Sequence, residues 1–249
     1  MRSTHTKSSL VALITLLAAT PLVLGAHAAS GSETLDLSLC APDQNEFTLT
    51  IDNAFFPLSQ GQQWILVGKD NGAAIGLQVT VLGATESFYK GQDKVLTRVV
   101  EEQEWEDANE NGSIDDGEDL IEVSLNYFAQ TQDGTVCYLG EDVEFYEDGG
   151  VVSTDGSWRA DDEGNAPGIY VPAEPEPGMT FAREVAPGIA EEVATILPSG
   201  KVKVPAGTYD DTLKVQEYNP LDGGRGTKYY ANGVGIIVDG SLRLLSTSS

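Results

Sequence analysis

The sequence predicts an all-β protein, an antiparallel meander that forms a closed or half-open barrel with a loop capping one hairpin. Three observations carry this expectation. β-Branched and aromatic residues recur in short runs that alternate with polar ones, the period of a strand. Turn signals such as Lys69-Asp-Asn-Gly72, Asp133-Gly134 and Asp148-Gly-Gly150 separate those runs at short intervals. No stretch of ten or more residues after the N-terminal apolar run has a compelling helical period. Short turns join antiparallel neighbours, and curling the sheet manages its edges.

The elements follow in chain order. Residues 1–9 carry Arg2 and Lys7, residues 10–25 are almost wholly apolar, and Ala26-His-Ala28 is a small-x-small cleavage site, the pattern of a secretory signal peptide removed after Ala28. An uncleaved signal anchor is the alternative. No cysteine stands at that boundary to take a lipid, and no later apolar run approaches the roughly 20 residues of a membrane helix. The expectation is a secreted or periplasmic protein with no membrane insertion. Cleavage leaves 221 of the 249 residues, a loose polar segment over 29–46 and one β-rich domain over 47–249.

Strands are expected at Phe47–Ile51, Trp64–Val67, Ile75–Leu82, Val95–Val100, Ile121–Gln130, Thr135–Leu139 and Val151–Trp158. Residues 161–178 hold Pro167, Pro172, Pro175 and Pro177 and read as a long connection. Between Ile189 and Leu197 the apolar positions suit a strand or one or two helical turns, with strand preferred, and strands follow at Lys201–Val204, Thr212–Tyr218, Gly226–Tyr230, Gly233–Val238 and Ser241–Leu245.

The inventory excludes several chemistries. Both histidines, His5 and His27, fall in the signal peptide, which removes Ser-His-Asp and Cys-His catalysis and most zinc sites from the mature chain. Without Arg2 and Lys7 the chain has 12 basic against 39 acidic residues, a charge that repels nucleic acid and attracts cations. Cys40 and Cys137, in an exported chain, are read as one disulfide.

One stretch specifies chemistry. Asp107, Asn109 and Asn111 occupy positions 1, 3 and 5 of a twelve-residue loop, with Gly112 at 6, Ser113 at 7, Ile114 at 8, Asp115 at 9 and Glu118 at 12. Ca²⁺ needs about seven oxygens, and a chain supplies them by winding tightly around the ion, with glycine at the sharpest turn. The expected ligands are Asp107, Asn109, Asn111, Ser113, Asp115 and Glu118, with Ser113 giving its carbonyl oxygen. Ile114 is expected to leave the ion and anchor the loop on apolar surface. An acidic turn that binds nothing is the alternative.

The loop resembles that of an EF-hand, but its flanks do not. Val95–Val100 before it and the alternating Ile121, Val123, Leu125 and Tyr127 after it read as strands, so the likeness covers the ligand loop and not the helix pair. The sensor behaviour that depends on helices opening is not implied. More widely, the Phe56-Pro-Leu58, Gly61, Trp64 spacing, Tyr127-Phe-Ala-Gln130, Tyr138-Leu-Gly-Glu-Asp142 and Lys228-Tyr-Tyr-Ala-Asn-Gly-Val-Gly235 resemble a family of exported bacterial β-proteins for which no activity is established. That resemblance implies a label and no function. Family members often have a short turn where this chain has residues 107–118.

Three function classes stand: an exported calcium-binding protein of structural or ligand-binding type, a carboxylate-based carbohydrate-active enzyme, and a carrier of an apolar ligand. The first is preferred, because no segment singles out a catalytic pair. For the carrier, Phe55, Phe56, Trp64, Trp105, Tyr127, Phe128 and Trp158 could line a pocket, although such residues more often form core. Asp161-Asp-Glu163 with Asn165 matches no ligand loop and reads as a solvated turn. The sequence names no protein or glycan partner.

Overall fold

Alternating apolar side chains need a shared interior, and glycine-bearing turns let each strand reverse onto the next. The computed structural model, which describes residues 32–248, meets both needs with one curved, largely antiparallel sheet. Its main strands are β1 (Gln63–Asp70), β2 (Ala73–Lys90), β3 (Asp93–Glu106), β4 (Leu120–Thr131), β5 (Val136–Glu147), β6 (Gly168–Val171), β7 (Met179–Ala186), β8 (Ala190–Leu197), β9 (Thr212–Tyr218), β10 (Arg225–Ala231), β11 (Gly235–Asp239) and β12 (Leu242–Ser248). Their order in the sheet runs from β7 through β12, then from β1 through β6. Every ladder along it joins main strands that follow one another in this series, except that β12 pairs with β1, tying the end of the chain to the start of the meander.

The two ends of this path, β6 and β7, lie side by side without a ladder. Ala166 N–H donates to the Val185 carbonyl at 3.0 Å. At Gly168 a Cβ would stand 1.9 Å from the Arg183 carbonyl oxygen, so only glycine allows the approach. The barrel is therefore half open, sealed at this seam by packing. Glu33–Thr34 adds a short parallel pairing to the start of β7.

Several expectations change. The signal-peptide segment lies outside the described residues. The segment expected to be loose is pinned from Glu33 onward: Asp36 Oδ1 accepts the Ser38 N–H at 2.8 Å to cap the turn Leu37–Cys40, and Cys40 is disulfide-bonded to Cys137 with Cα atoms 5.7 Å apart. The first expected strand shrinks to Phe47–Thr48, and Val151–Trp158 splits into Gly150–Ser153 and Trp158–Arg159. The proline-rich connection contains β6, a strand the prolines concealed. Val202–Val204 and Gly207–Tyr209 form a separate small ribbon.

One end of the barrel is dry. The segment before β1 reverses through an Ile51–Leu58 bridge and inserts Phe56, whose ring meets Tyr170 at 4.6 Å and Phe128 at 5.1 Å between centroids. Tyr138 stacks on Phe128 at 4.9 Å. Asn53 holds this plug in place, donating from Nδ2 to the carbonyls of Gly134 and Pro172, both at 3.0 Å. Gln130 Oε1 accepts the backbone N–H groups of Asp52 and Asn53. Phe56, Trp64, Tyr127, Phe128 and Trp158 are thus core, and Phe55 is partly buried against it.

Candidate functional site

The loop expected to hold calcium joins β3 to β4. It does not project as a tip. Gly112 has φ +72°, a conformation that favours glycine, and it is buried against the outer wall: a Cβ there would meet Leu245 Cδ2 at 2.5 Å and Val67 Cγ1 at 3.2 Å. Beside it, Trp105 faces outward, covers Gly76 and is only 1 % exposed. The loop therefore lies folded on the outside of β1 and β12. The Asp107 N–H donates to the Ala74 carbonyl at 3.0 Å, and Lys69 pairs with Glu110 at 3.0 Å across the same contact. Ile114, expected to be the anchor, is 42 % exposed, and Gly112 takes that role because only a residue without a side chain fits so close to the wall.

Inside the loop, every expected ligand residue has a defined place. Asp107 is buried and accepts the N–H groups of Asn111 at 3.0 Å and Gly112 at 2.9 Å. Asn109 and Asn111 both donate their side-chain amides to Asp115 Oδ2, at 2.8 and 2.7 Å, which lowers the Asp115 pKa. Asn111 Oδ1 accepts the Ser113 N–H, and Glu118 Oε2 accepts the Asp115 N–H at 3.0 Å. Glu118 Oε1 is buried and finds no hydrogen-bond partner among the described residues.

Among the described residues no group of three or more His, Cys, Asp or Glu side chains stands at metal-binding spacing. The Asn109 and Asn111 amides fill the space beside Asp115. The donor set nonetheless suits a hard cation: it is all oxygen, and turning each asparagine amide over would exchange its nitrogen for its oxygen without moving the backbone. The acidic turn at residues 161–165 is engaged internally, since Asp161 accepts the Tyr89 N–H at 3.1 Å and pairs with Arg159 at 3.4 Å.

A second site was missed by the sequence reading. The barrel end opposite the Phe56 plug holds a cavity of about 360 Å³. Cross-strand pairing explains its lining. Glu102 and Glu104 of β3 lie opposite Val79 and Leu77 of β2, and they pair on the other side with Ser124 and Glu122 of β4. These positions share the interior face. On β5 the register slips by one residue at Leu139, so both Tyr138 and Glu141 line the cavity. On β7 a similar slip at Arg183 brings Arg183 and Glu184 in together, with Glu192 of β8 beside them.

The cavity's cations are already engaged. Arg183 is 2 % exposed, pairs with Glu217 and, at 3.3 Å, with Glu192, and packs 4.2 Å above the Tyr170 ring. Lys228 pairs with Asp239 at 3.3 Å and Glu217 at 3.7 Å. That leaves Asp70 at the end of β1 and the glutamates Glu102, Glu104, Glu122, Glu141 and Glu184 lining the cavity with no ion-pair partner among the described residues. The five glutamates keep some accessible surface because they face the cavity's solvent, yet they sit deep in the wall. Burial raises their pKa values: Glu102 and Glu184 are each pushed up to about 7 and Glu141 to about 8, with neighbouring carboxylates adding to the effect.

No protein-family model and no curated protein matches the chain. Among solved structures, it is similar to an inferred exported protein with a YmcC-like fold from Bacteroides fragilis NCTC 9343, at 15% identity over 79% of this chain and 100% of that one, with a TM-score of 0.37. It is also similar to an inferred lipoprotein from Parabacteroides distasonis ATCC 8503, at 14% identity over 79% of this chain and 99% of that one, with a TM-score of 0.34.

Proposed function

We propose that the protein is an exported calcium-binding β-barrel in which the ion fastens the β3–β4 loop to the outer wall. The observation that carries this reading is Glu118 Oε1, a buried carboxylate oxygen without a partner among the described residues, at the position where a calcium loop places its bidentate ligand. A group of that kind is costly unless something positive meets it. Asp107, Asn109, Asn111, the Ser113 carbonyl, Asp115 and Glu118 would hold the ion. Export is supported by the leader pattern of residues 1–28 and by the Cys40–Cys137 disulfide.

Three carboxylates in a solitary loop suit an affinity of roughly 10⁻⁵ to 10⁻³ M, matched to calcium-rich surroundings. At a calcium concentration about 100 times the Kd, mass action adds about 2.7 kcal/mol of stability. Calorimetry of the mature protein should show that rise with CaCl₂ over EDTA, and Glu118→Ala should abolish it. Superimposable transitions with calcium and chelator would remove the reading. Of the alternatives, the polar cavity favours a carboxylate-based carbohydrate-active enzyme over a carrier of apolar ligands, because Phe56, Trp64, Tyr127, Phe128 and Trp158 are packed as core and Trp105 lies outside beneath the loop. Turnover of a polysaccharide that is lost in Glu141→Gln would promote it.

A further inference from the structure

We propose that the barrel cavity binds a small organic cation bearing two or more amino groups, a site separate from the calcium loop and independent of that reading. Six carboxylates on five strands, Asp70, Glu102, Glu104, Glu122, Glu141 and Glu184, line one cavity with no ion-pair partner among the described residues, while Arg183 and Lys228 are held by other acids. Like charges in one partly enclosed space repel, and they are retained at low cost only if protons or a bound cation offset them.

The geometry selects the kind of cation. Among the described residues no three of these carboxylates come together at metal-binding spacing. Distributed charges along a cavity of about 360 Å³ instead match amino groups distributed along a small molecule. A second observation is independent of the acids. Arg183 lines the cavity, is 2 % exposed, and its Nε–H finds no acceptor among the described residues, an unmet buried donor in the cavity wall.

Amines of this kind come from linear polyamines or from amino sugars, and the latter also carry hydroxyl groups that can donate to the unpaired carboxylates. Titration calorimetry with spermidine and, separately, with the glucosamine disaccharide distinguishes the two sources. The buffer should contain about 150 mM NaCl at about pH 7.5, so that screening suppresses loose association with the acidic exterior. The expected result is saturable one-to-one binding of at least one probe, weakened about tenfold or more by Glu102→Gln and by Glu141→Gln. Both substitutions relieve repulsion, so the fold should persist. Glu147→Gln with Asp148→Asn, on the exposed β5 turn, should leave binding unchanged. Absence of saturable binding by either probe would overturn the proposal, as would multi-site binding indifferent to the cavity substitutions.

Discussion

Replacing Gly112 with alanine tests whether the loop is seated on the barrel wall. The substitution introduces two costs that the structure separates. At φ +72° an alanine incurs left-handed backbone strain of about 1–2 kcal/mol. Its Cβ would also approach Leu245 Cδ2 at 2.5 Å and Val67 Cγ1 at 3.2 Å, overpacking of the kind that costs about 1–3 kcal/mol more. Gly117, five residues on in the same loop, has φ +94° and nothing within 4 Å of the point a methyl group would occupy, so Gly117→Ala carries backbone strain alone. The difference between the variants isolates the seating contact. In a domain of this size each kcal/mol moves Tm by about 2–4 °C, so Gly112→Ala should melt about 2–12 °C below Gly117→Ala. Thermal unfolding followed by circular dichroism, repeated in urea, supplies the comparison. Equal losses in the two variants would mean that the loop does not rest on β1 and β12.

Two further outcomes follow from the disulfide and from the cavity. Cys40→Ser with Cys137→Ser opens a loop with a sequence separation of 97, which in the chain-entropy model costs about 4–5 kcal/mol; a loss below about 1 kcal/mol in urea titration would show that the Glu33 pairing and the Asp36 cap hold the N-terminal segment unaided. Glu102, Glu184 and Glu141 have folded pKa values of about 7, 7 and 8, above the ordinary 4.5, chiefly from burial. Between those limits the folded chain holds protons that the unfolded chain has released, so stability contributed by these groups is present at mild acidity and is lost as pH rises through about 8. Melting should therefore occur at lower temperature near pH 8.5 than near pH 5.5 (both approximate settings), and Glu141→Gln, which removes one carboxylate facing Glu184, Glu102 and Glu122, should flatten the slope; an unchanged profile would reject burial as the cause.

The meander was legible because its signals are local. Lys69-Asp-Asn-Gly72 turns β1 into β2, Asp133-Gly134 turns β4 into β5, and the alternation of Ile121 to Tyr127 is β4 itself. Of the loop, the sharp turn was legible because its spacing is contiguous, and Gly112 adopts the positive φ that its position requires. Where the loop rests was not legible. Leu245 and Val67 are far from Gly112 in sequence, and they meet it only because β12 pairs with β1. The β6 strand escaped notice for a related reason: Pro167 and Pro172 flank it, and its ladder with β5 tolerates them at its ends.

The cavity was hidden by a rule that usually works. In β4, Glu122, Ser124 and Asn126 alternate with Ile121, Val123 and Leu125, and the ordinary inference puts the apolar set inside. Here the polar set faces the barrel interior. Glu122 pairs with Glu104, and Ser124 with Glu102, on the face shared with Leu77 and Val79 of β2, while Trp105 is buried on the outside beneath the loop. Periodicity specifies two faces but not which of them is wet. In a barrel sealed by Phe56 at one end and open at the other, the interior changes character along its own axis. The hairpin that carries the proposed calcium loop on its outer face also carries Glu102, Glu104 and Glu122 on its inner face. Any ion that fixes the loop to the wall acts on the same two strands that position those carboxylates, so loop and cavity share a mechanical element even though their chemistry is separate.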